Sequence, residues 1–426
     1  HLEEPPEAGM RYAIVSTGRT LSEIEALVRQ HGGTAIRTLP CCGQAFATLE
    51  PEQARRLSTV PGLAVREVGE FRAQQVAARE FATAQAQTTL SPLFHAFQQV
   101  VSPPLTGQGL TIAVLDSGVR KTHLGLRGKV VYEANFTATE TPEDIFDHGT
   151  GVAYLAAGGT AEGDSGMAPG ANLLNIKVMD DQGVGSDETV VAGLEEVLRL
   201  RLSQPPESPL FPSIANLSLG SPDTGSPLSP ARAAARRCTE AGMVVVAAAG
   251  NQGPSPGTVA EPATEETVLA VGAMTIEPWE AWEKSSRGPT REVLIKPDLM
   301  FLGIEVLTAS GRADNGYVLK AGTSFSAPAL SGLIALGQEF AGRSLGRRLS
   351  LLEGWSILTI ISRKPPGAPA GKDNTYGYGM PFADLLQRAI SPAAMPIAEM
   401  VTPLLALGML GMMVGGFLKE VAGERR

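Results

Sequence analysis

The sequence predicts an α/β protein: a large parallel sheet flanked by helices, a small α+β domain ahead of it, and an apolar helix at the C-terminus. Three observations carry this. Leu110–Leu115, Ile214–Leu217 and Val244–Ala249 are apolar, strand-forming runs without polar alternation, as in parallel strands buried on both faces. Small-residue turns lead into the apolar helical runs Val152–Ala157 and Ala329–Leu336. Residues 11–71 repeat strand and helix patterns in the order β-α-β-β-α-β, the split βαβ arrangement. Scarce aromatics with abundant Gly and Ala suit helices packed closely on a sheet.

In the small domain, Arg11–Ser16 reads as a strand. Leu21–Gln30 places Leu21, Ile24, Leu27 and Val28 on one helical stripe. Thr34–Leu39 and Ala45–Leu49 alternate as strands across a Pro-Cys-Cys-Gly turn, Pro51–Leu57 is a short helix, and Leu63–Val68 is a last strand. Residues 72–100, rich in Gln, Ala and Thr, read as a linker with some helix. The expected domains are therefore 1–71, a linker 72–100, a main domain 101–389 and a C-terminal apolar segment 396–421. A chain of 426 residues fits this division.

The net charge of −9 argues against a nucleic-acid role. Cys41 and Cys42 are adjacent, where a mutual bridge would be strained, and Cys238 lies in a helix capped by Ser229 with Pro230 at its start. All three cysteines read as small buried hydrophobes.

Four segments carry chemistry. Asp116 ends the first parallel strand, in Ala113-Val-Leu-Asp116-Ser-Gly118, where open α/β sheets place their sites. His148 precedes Gly149-Thr150-Gly151 at the start of a helix. Ser324 lies in Gly322-Thr-Ser-Phe-Ser-Ala-Pro328, where a helix N-terminus favours developing negative charge. Asn251 follows the strand Val244–Ala249 in Gly250-Asn251-Gln252-Gly253. A serine hydroxyl needs a base, and the base an orienting carboxylate, for nucleophilic catalysis. Asp116, His148 and Ser324 supply those three types; Ser326 is the local rival to Ser324.

These ordered motifs resemble the subtilisin-like serine proteases over roughly residues 101–388, and share their chain order Asp…His…Ser. The resemblance implies a subtilisin-like parallel sheet, catalytic Asp116, His148 and Ser324, and an oxyanion hole formed by Asn251 and the Ser324 N–H. It implies that a substrate peptide pairs as a strand with Gly183-Val184-Gly185-Ser186 and with Ser218-Leu219-Gly220. Ala248-Ala249-Gly250 would form the other wall of the P1 pocket, with Ala260 as a shortened floor. Glu261 would lie near the rim, either to attract a basic side chain or simply solvated. His123 matches a non-catalytic family histidine. Gly151 stands where the family often has a second His, and Phe325 where it often has Met. After Lys296-Pro297-Asp298 the usual Pro-Gly turn is replaced by Leu299–Gly303, so that loop is expected to differ. The domain at residues 1–71 resembles the family's inhibitory propeptide, with its last strand entering the cleft and processing somewhere between Glu70 and Gln99. No cofactor is required for the chemistry. Calcium is common in the family, but no ligand loop is recognisable here.

The chain opens on His1 with no signal-peptide pattern; either a leader has been removed or the chain has been trimmed. Met400–Leu418 carries no charge. At about 1.5 Å per helical residue it nearly spans a bilayer core, which takes roughly 20 residues. Gly411 and Gly415 form a small-residue packing face, and Lys419, Arg425 and Arg426 follow. The expectation is an extracytoplasmic protease anchored by this helix, the rival being an apolar helix packed in a groove or oligomer. The expected function is an autoprocessed serine endopeptidase. The alternative is a non-turnover scaffold or an assembly-bound maturation protease that keeps its N-terminal domain in the cleft.

Overall fold

The computed structural model describes residues 9–74, 76–81, 91–159, 165–275 and 277–390. The apolar segment Met400–Leu418 lies outside them. Among the described residues no helix is long and apolar enough to cross a membrane.

The small domain follows the expected order: β1 (Met10–Ser16), α1 (Leu21–Gln30), β2 (Thr34–Leu39), β3 (Gln44–Leu49), α2 (Pro51–Ser58) and β4 (Leu63–Glu67). Its antiparallel sheet runs β2-β3-β1-β4. Thr20 starts α1 with a reciprocal capping box to Glu23, which satisfies two N–H groups at the helix start. Ile24 and Val28 on α1, with Ala54 and Leu57 on α2, cover one face of the sheet.

The segment expected to be a linker holds three further elements: β5 (Glu70–Ala73), β6 (Val76–Phe81) and α3 (Ser91–Gln98). The strand leaving the small domain for the main domain is β5; β4 stays paired with β1. Composition could not reveal this, because the stability of β5 comes from backbone pairing with another part of the chain.

The main domain continues with β7 (Thr111–Asp116), β8 (Val130–Asn135), α4 (Gly149–Ala157), β9 (Asn172–Lys177), β10 (Val184–Ser186), α5 (Asp187–Ser203), β11 (Ile214–Leu217), β12 (Leu219–Gly220), α6 (Pro230–Glu240), β13 (Val244–Ala248), β14 (Leu269–Thr275), β15 (Glu280–Ala281), β16 (Leu299–Leu302), β17 (Val306–Ala309), β18 (Tyr317–Ala321) and α7 (Thr323–Leu345). The main sheet has the order β15-β14-β13-β11-β7-β9-β8, with β16 also on β14. All its pairings are parallel except β14 with β15. The segment after Asp298, expected to be a divergent loop, contributes β16.

Helices α4 and α7 cover one face of the sheet, and α5 and α6 the other. Thr323 through Ala341 of α7 is buried, so this helix is enclosed around its circumference as the central helix of the domain. The small domain docks by its open sheet face. Ala13, Leu39 and Phe46 join the apolar layer of α5 and α6. Glu195 on α5 accepts the Cys41 and Cys42 N–H groups at 2.8 and 2.7 Å, tying down the turn between β2 and β3. Gln44 donates to the Pro230 carbonyl at 2.8 Å. Cys42 and Cys238 are buried and Cys41 partly so, all as free thiols.

Two acidic residues at the start of α5 respond oppositely to this docking. Burial pushes the Asp187 carboxyl up to about 6, against the opposing pull of Arg66 and of the Gly69 N–H, which it accepts at 2.6 Å. Burial also acts on Glu188, but the Arg11 fork, at 2.7 and 2.8 Å, and Arg37 outweigh it and leave that carboxyl below its ordinary value. A raised carboxyl favours docking while protonated, so the Asp187 contribution is lost as pH rises through about 6. The lowered Glu188 gives stability that is present above its ordinary value of 4.5 and is lost as pH falls below it. In a Ser324→Ala chain, release of the small domain by an added protease should therefore accelerate as pH rises from about 4.5 to about 6, where Glu188 is already ionised and Asp187 alone titrates. Asp187→Asn should flatten that rise. A release rate independent of pH in the parent chain would exclude this role for Asp187.

Candidate active site

Asp116 sits at the carboxyl end of β7, His148 just before α4, and Ser324 in the first turn of α7. All three are buried. The His148 Nδ1–H donates to Asp116 Oδ1 at 2.7 Å, and the Ser117 N–H donates to the same oxygen at 2.7 Å. His148 Nε2 has no partner among the described residues although it is buried. The resemblance implies a bond from Ser324 to this nitrogen, and the structure does not make it. Ser324 Oγ instead donates to the Ser218 carbonyl at 3.0 Å. Ser326, the rival, donates to the Phe301 carbonyl at 3.1 Å and faces β16.

Asn251 follows β13 through Gly250, whose φ of 111° admits only glycine without strain. Its Oδ1 accepts the Thr323 N–H and Oγ1–H, both at 3.0 Å, which fixes the side chain. The Nδ2 donor that remains is buried and unpartnered. A base nitrogen and an amide donor thus both lie buried and unpaired beside the start of α7.

The surrounding shell contains residues that motif reading missed. Asp144 is buried and accepts the Ser117 Oγ–H at 2.8 Å and the Asp147, His148 and Thr150 N–H groups at 2.9, 3.2 and 2.8 Å. This one carboxylate locks the turn carrying His148 to the turn carrying Asp116. The only trace in the sequence is an acidic residue just ahead of a helix start. Asp147 takes a left-handed φ of 69° and accepts Ser310 Oγ–H at 2.9 Å and Gly311 N–H at 2.5 Å. Lys320 donates to its carbonyl. His123 is buried between Tyr154 and Tyr317 and donates to the Gly316 carbonyl at 2.9 Å, away from the cleft. Phe325 packs 5.4 Å from the His148 ring, between centroids.

The cleft is occupied by β5. It lies in a three-stranded antiparallel sheet between β10 and β12. Gly185 is opposite Phe71, Gly220 is opposite Arg72, and the Ala73 N–H donates to the Gly183 carbonyl at 3.4 Å. The Gln74 N–H donates to the Ser218 carbonyl, and the Ser324 N–H to the Gln74 carbonyl, both at 3.3 Å. Gly183, Gly185, Ser218, Leu219 and Gly220 thus all lie along this strand. Ala248 ends β13; after it Ala249 accepts the Ala260 N–H at 2.9 Å, and a side chain added to Gly250 would meet Ala260 at 3.4 Å. Ala260 stands behind Gly220, where a side chain added to that glycine would meet it at 2.8 Å. Glu261 is not at the rim. It is fully buried and turned away, accepting the Thr224 N–H at 2.8 Å and the Thr224 and Ser229 hydroxyls, so it is unavailable to a basic substrate. Among the described residues there is no group of three or more His, Cys, Asp or Glu that could hold a metal ion.

A buried carboxylate–imidazole pair beside a serine at a helix N-terminus, at the carboxyl ends of parallel strands, defines the class of serine hydrolases. The comparisons narrow it. The Subtilase family model matches residues 107–379, more than half of the chain, and the chain belongs to that family and with it to the serine endopeptidases. It is 32% identical to serine protease AprX of Bacillus subtilis over 54% of this chain, and covers 57% of that protein's length. It is 28% identical to subtilisin NAT of Bacillus subtilis subsp. natto over 76% of this chain and 79% of the relative. Subtilisin Savinase of Lederbergia lenta is 31% identical over 67% of this chain and 93% of its own.

Asp144→Asn would turn one of the two oxygens that together accept these four donors into an amide donor and loosen the His148 turn. We expect kcat to fall about tenfold or more, because small misplacements of a base are costly. KM should stay near the parent value. A variant with parent kcat would remove Asp144 from this positioning role.

Proposed function

We propose that the chain is a serine endopeptidase made as an autoprocessed zymogen. The supporting observation is the buried Asp116–His148 pair with Nε2 left unpartnered next to Ser324. Ser324 Oγ rotates from the Ser218 carbonyl to His148 Nε2, which takes its proton as the oxygen attacks a peptide carbonyl. Asp116 holds the imidazole tautomer and stabilises its cation. The Ser324 N–H and Asn251 Nδ2 stabilise the oxyanion, and His148 returns the proton to the leaving amine. Water then hydrolyses the acyl-enzyme. Extended peptides enter between β10 and β12, where β5 lies, so the small domain acts as an intramolecular inhibitor by presenting β5. No cofactor is required for these steps.

The protease is placed outside the cytoplasm, secreted or anchored by Met400–Leu418. This rests on the uncharged length of that segment and the basic residues after it.

Ser324→Ala should abolish labelling by a fluorophosphonate probe. Asn251→Ala should keep labelling but lose about 10²–10³ in kcat, the loss known for oxyanion-donor removal in subtilisin, a relative. Unchanged peptidase activity in Ser324→Ala would overturn the mechanism.

Truncation before Ala398 should give a detergent-independent enzyme with parent activity on a small peptide. A tail packed in a groove would instead leave the truncated protein unstable, since each buried Leu or Met contributes about 1.5–3 kcal/mol. Early melting of the truncated form, with full-length protein soluble without detergent, would exclude the anchor.

A further inference from the structure

We infer that the chain cuts itself after Gln74 and that its P1 preference is glutamine; this rests on the endopeptidase reading above. Several backbone contacts place Gln74 rather than a neighbour at the reacting position. Its N–H donates to the Ser218 carbonyl and its own carbonyl accepts the Ser324 N–H, both at 3.3 Å. The second contact puts that oxygen on one of the two expected oxyanion donors. Upstream, β5 is paired on both edges, by β10 and β12. Downstream, β6 pairs with β18, the strand that leads directly into α7. Strand pairing therefore holds the chain up to Ala73 on one side and from Val76 on the other.

The side chain argues for specificity. Gln74 is buried, with 7% of its surface exposed. Its Nε2 donates to the Gly220 carbonyl at 3.3 Å and to the Arg72 carbonyl at 3.2 Å. Both partners are carbonyl oxygens, which only accept, so the amide nitrogen rather than the oxygen must lie there. Behind Gly220, Ala260 closes the space in depth. A Glu at this position would bring a charged acceptor against two acceptors, and a Leu would fill the space without donating. Sites built around a buried donor reject analogues that lack it far more strongly than apolar sites reject a missing methylene.

The step balances with water as the second reactant. Ser324 Oγ bonds to the Gln74 carbonyl carbon, and the bond to the Gln75 nitrogen breaks. The Ser324 proton passes through His148 to that nitrogen, which leaves as an amine. Water then adds to the ester, releasing a Gln74 carboxylate and restoring the serine hydroxyl. Residues 1–74 leave as one fragment, and the enzyme begins at Gln75.

Intact-mass analysis and N-terminal sequencing of the full chain test the position. Cleavage after Gln74 is expected in the parent and none in Ser324→Ala. Gln74→Glu should slow cleavage there about tenfold or more, the scale of one lost buried hydrogen bond. Because that variant also touches docking, the processed enzyme is assayed on Glu-Phe-Arg-Ala-Gln-aminocoumarin and on versions ending in Glu, Leu or Lys. A kcat/KM at least about tenfold higher for Gln than for the others is expected. Processing elsewhere, or preference for Leu or Lys, in an enzyme that takes the fluorophosphonate label would overturn this inference alone. No labelling and no cleavage of any substrate would overturn the endopeptidase reading itself.

Discussion

The site depends on one constraint: the N-terminus of the buried helix α7 must meet the carboxyl ends of β7 and β13. The helix cannot shift, because its buried length fills the space between the sheet and α4. Its first turn is pinned polar group by polar group. Thr323 is held by Asn251, and the Ser324 carbonyl accepts from Ser218 Oγ at 2.9 Å; two turns further on, Ser331 donates to Asn216 of β11 at 2.9 Å. The buried helix thus fixes where Ser324 stands, while Asn251 and Ser218, just past the ends of β13 and β11, fix how its backbone faces.

A second clamp holds the base. Asp144 joins the turns after β7 and before α4, and β17–β18 reach it indirectly through Asp147, Ser310 and Lys320. Every carboxylate in this shell accepts several N–H or O–H donors, which is how a buried acid remains tolerable. Asp116 Oδ2, His148 Nε2 and Asn251 Nδ2 are buried without partners, and the last two are atoms that the proposed chemistry would use.

The small domain reads as an attachment built to place one strand. Its sheet docks on α5 and α6, Glu195 fixes its turn, and Asp187 catches the Gly69 N–H just before β5 begins. The two residues between β4 and β5 are where the chain passes from the small sheet into the cleft. The proposed cut after Gln74 would leave those contacts intact, so release depends on docking energy rather than on chemistry.

Sequence alone carried the αβ class, the order of elements in the small domain and the placement of Asp116, His148, Asn251 and Ser324, because each sits at a junction of an apolar run and a small-residue turn. Those are local signals: periodicity, caps and turn residues. It could not reveal that Glu70–Ala73 and Val76–Phe81 form strands, since their partners lie more than a hundred residues away and edge pairing leaves little mark on composition. Nor could it turn Glu261 inward, because its partners Thr224 and Ser229 come from another loop. Asp144 was invisible for the same reason: a carboxylate becomes a clamp only when several donors converge on it. Residue types and their local spacing set what chemistry is available; long-range packing alone decided which strand fills the cleft and which carbonyl rests on the Ser324 N–H.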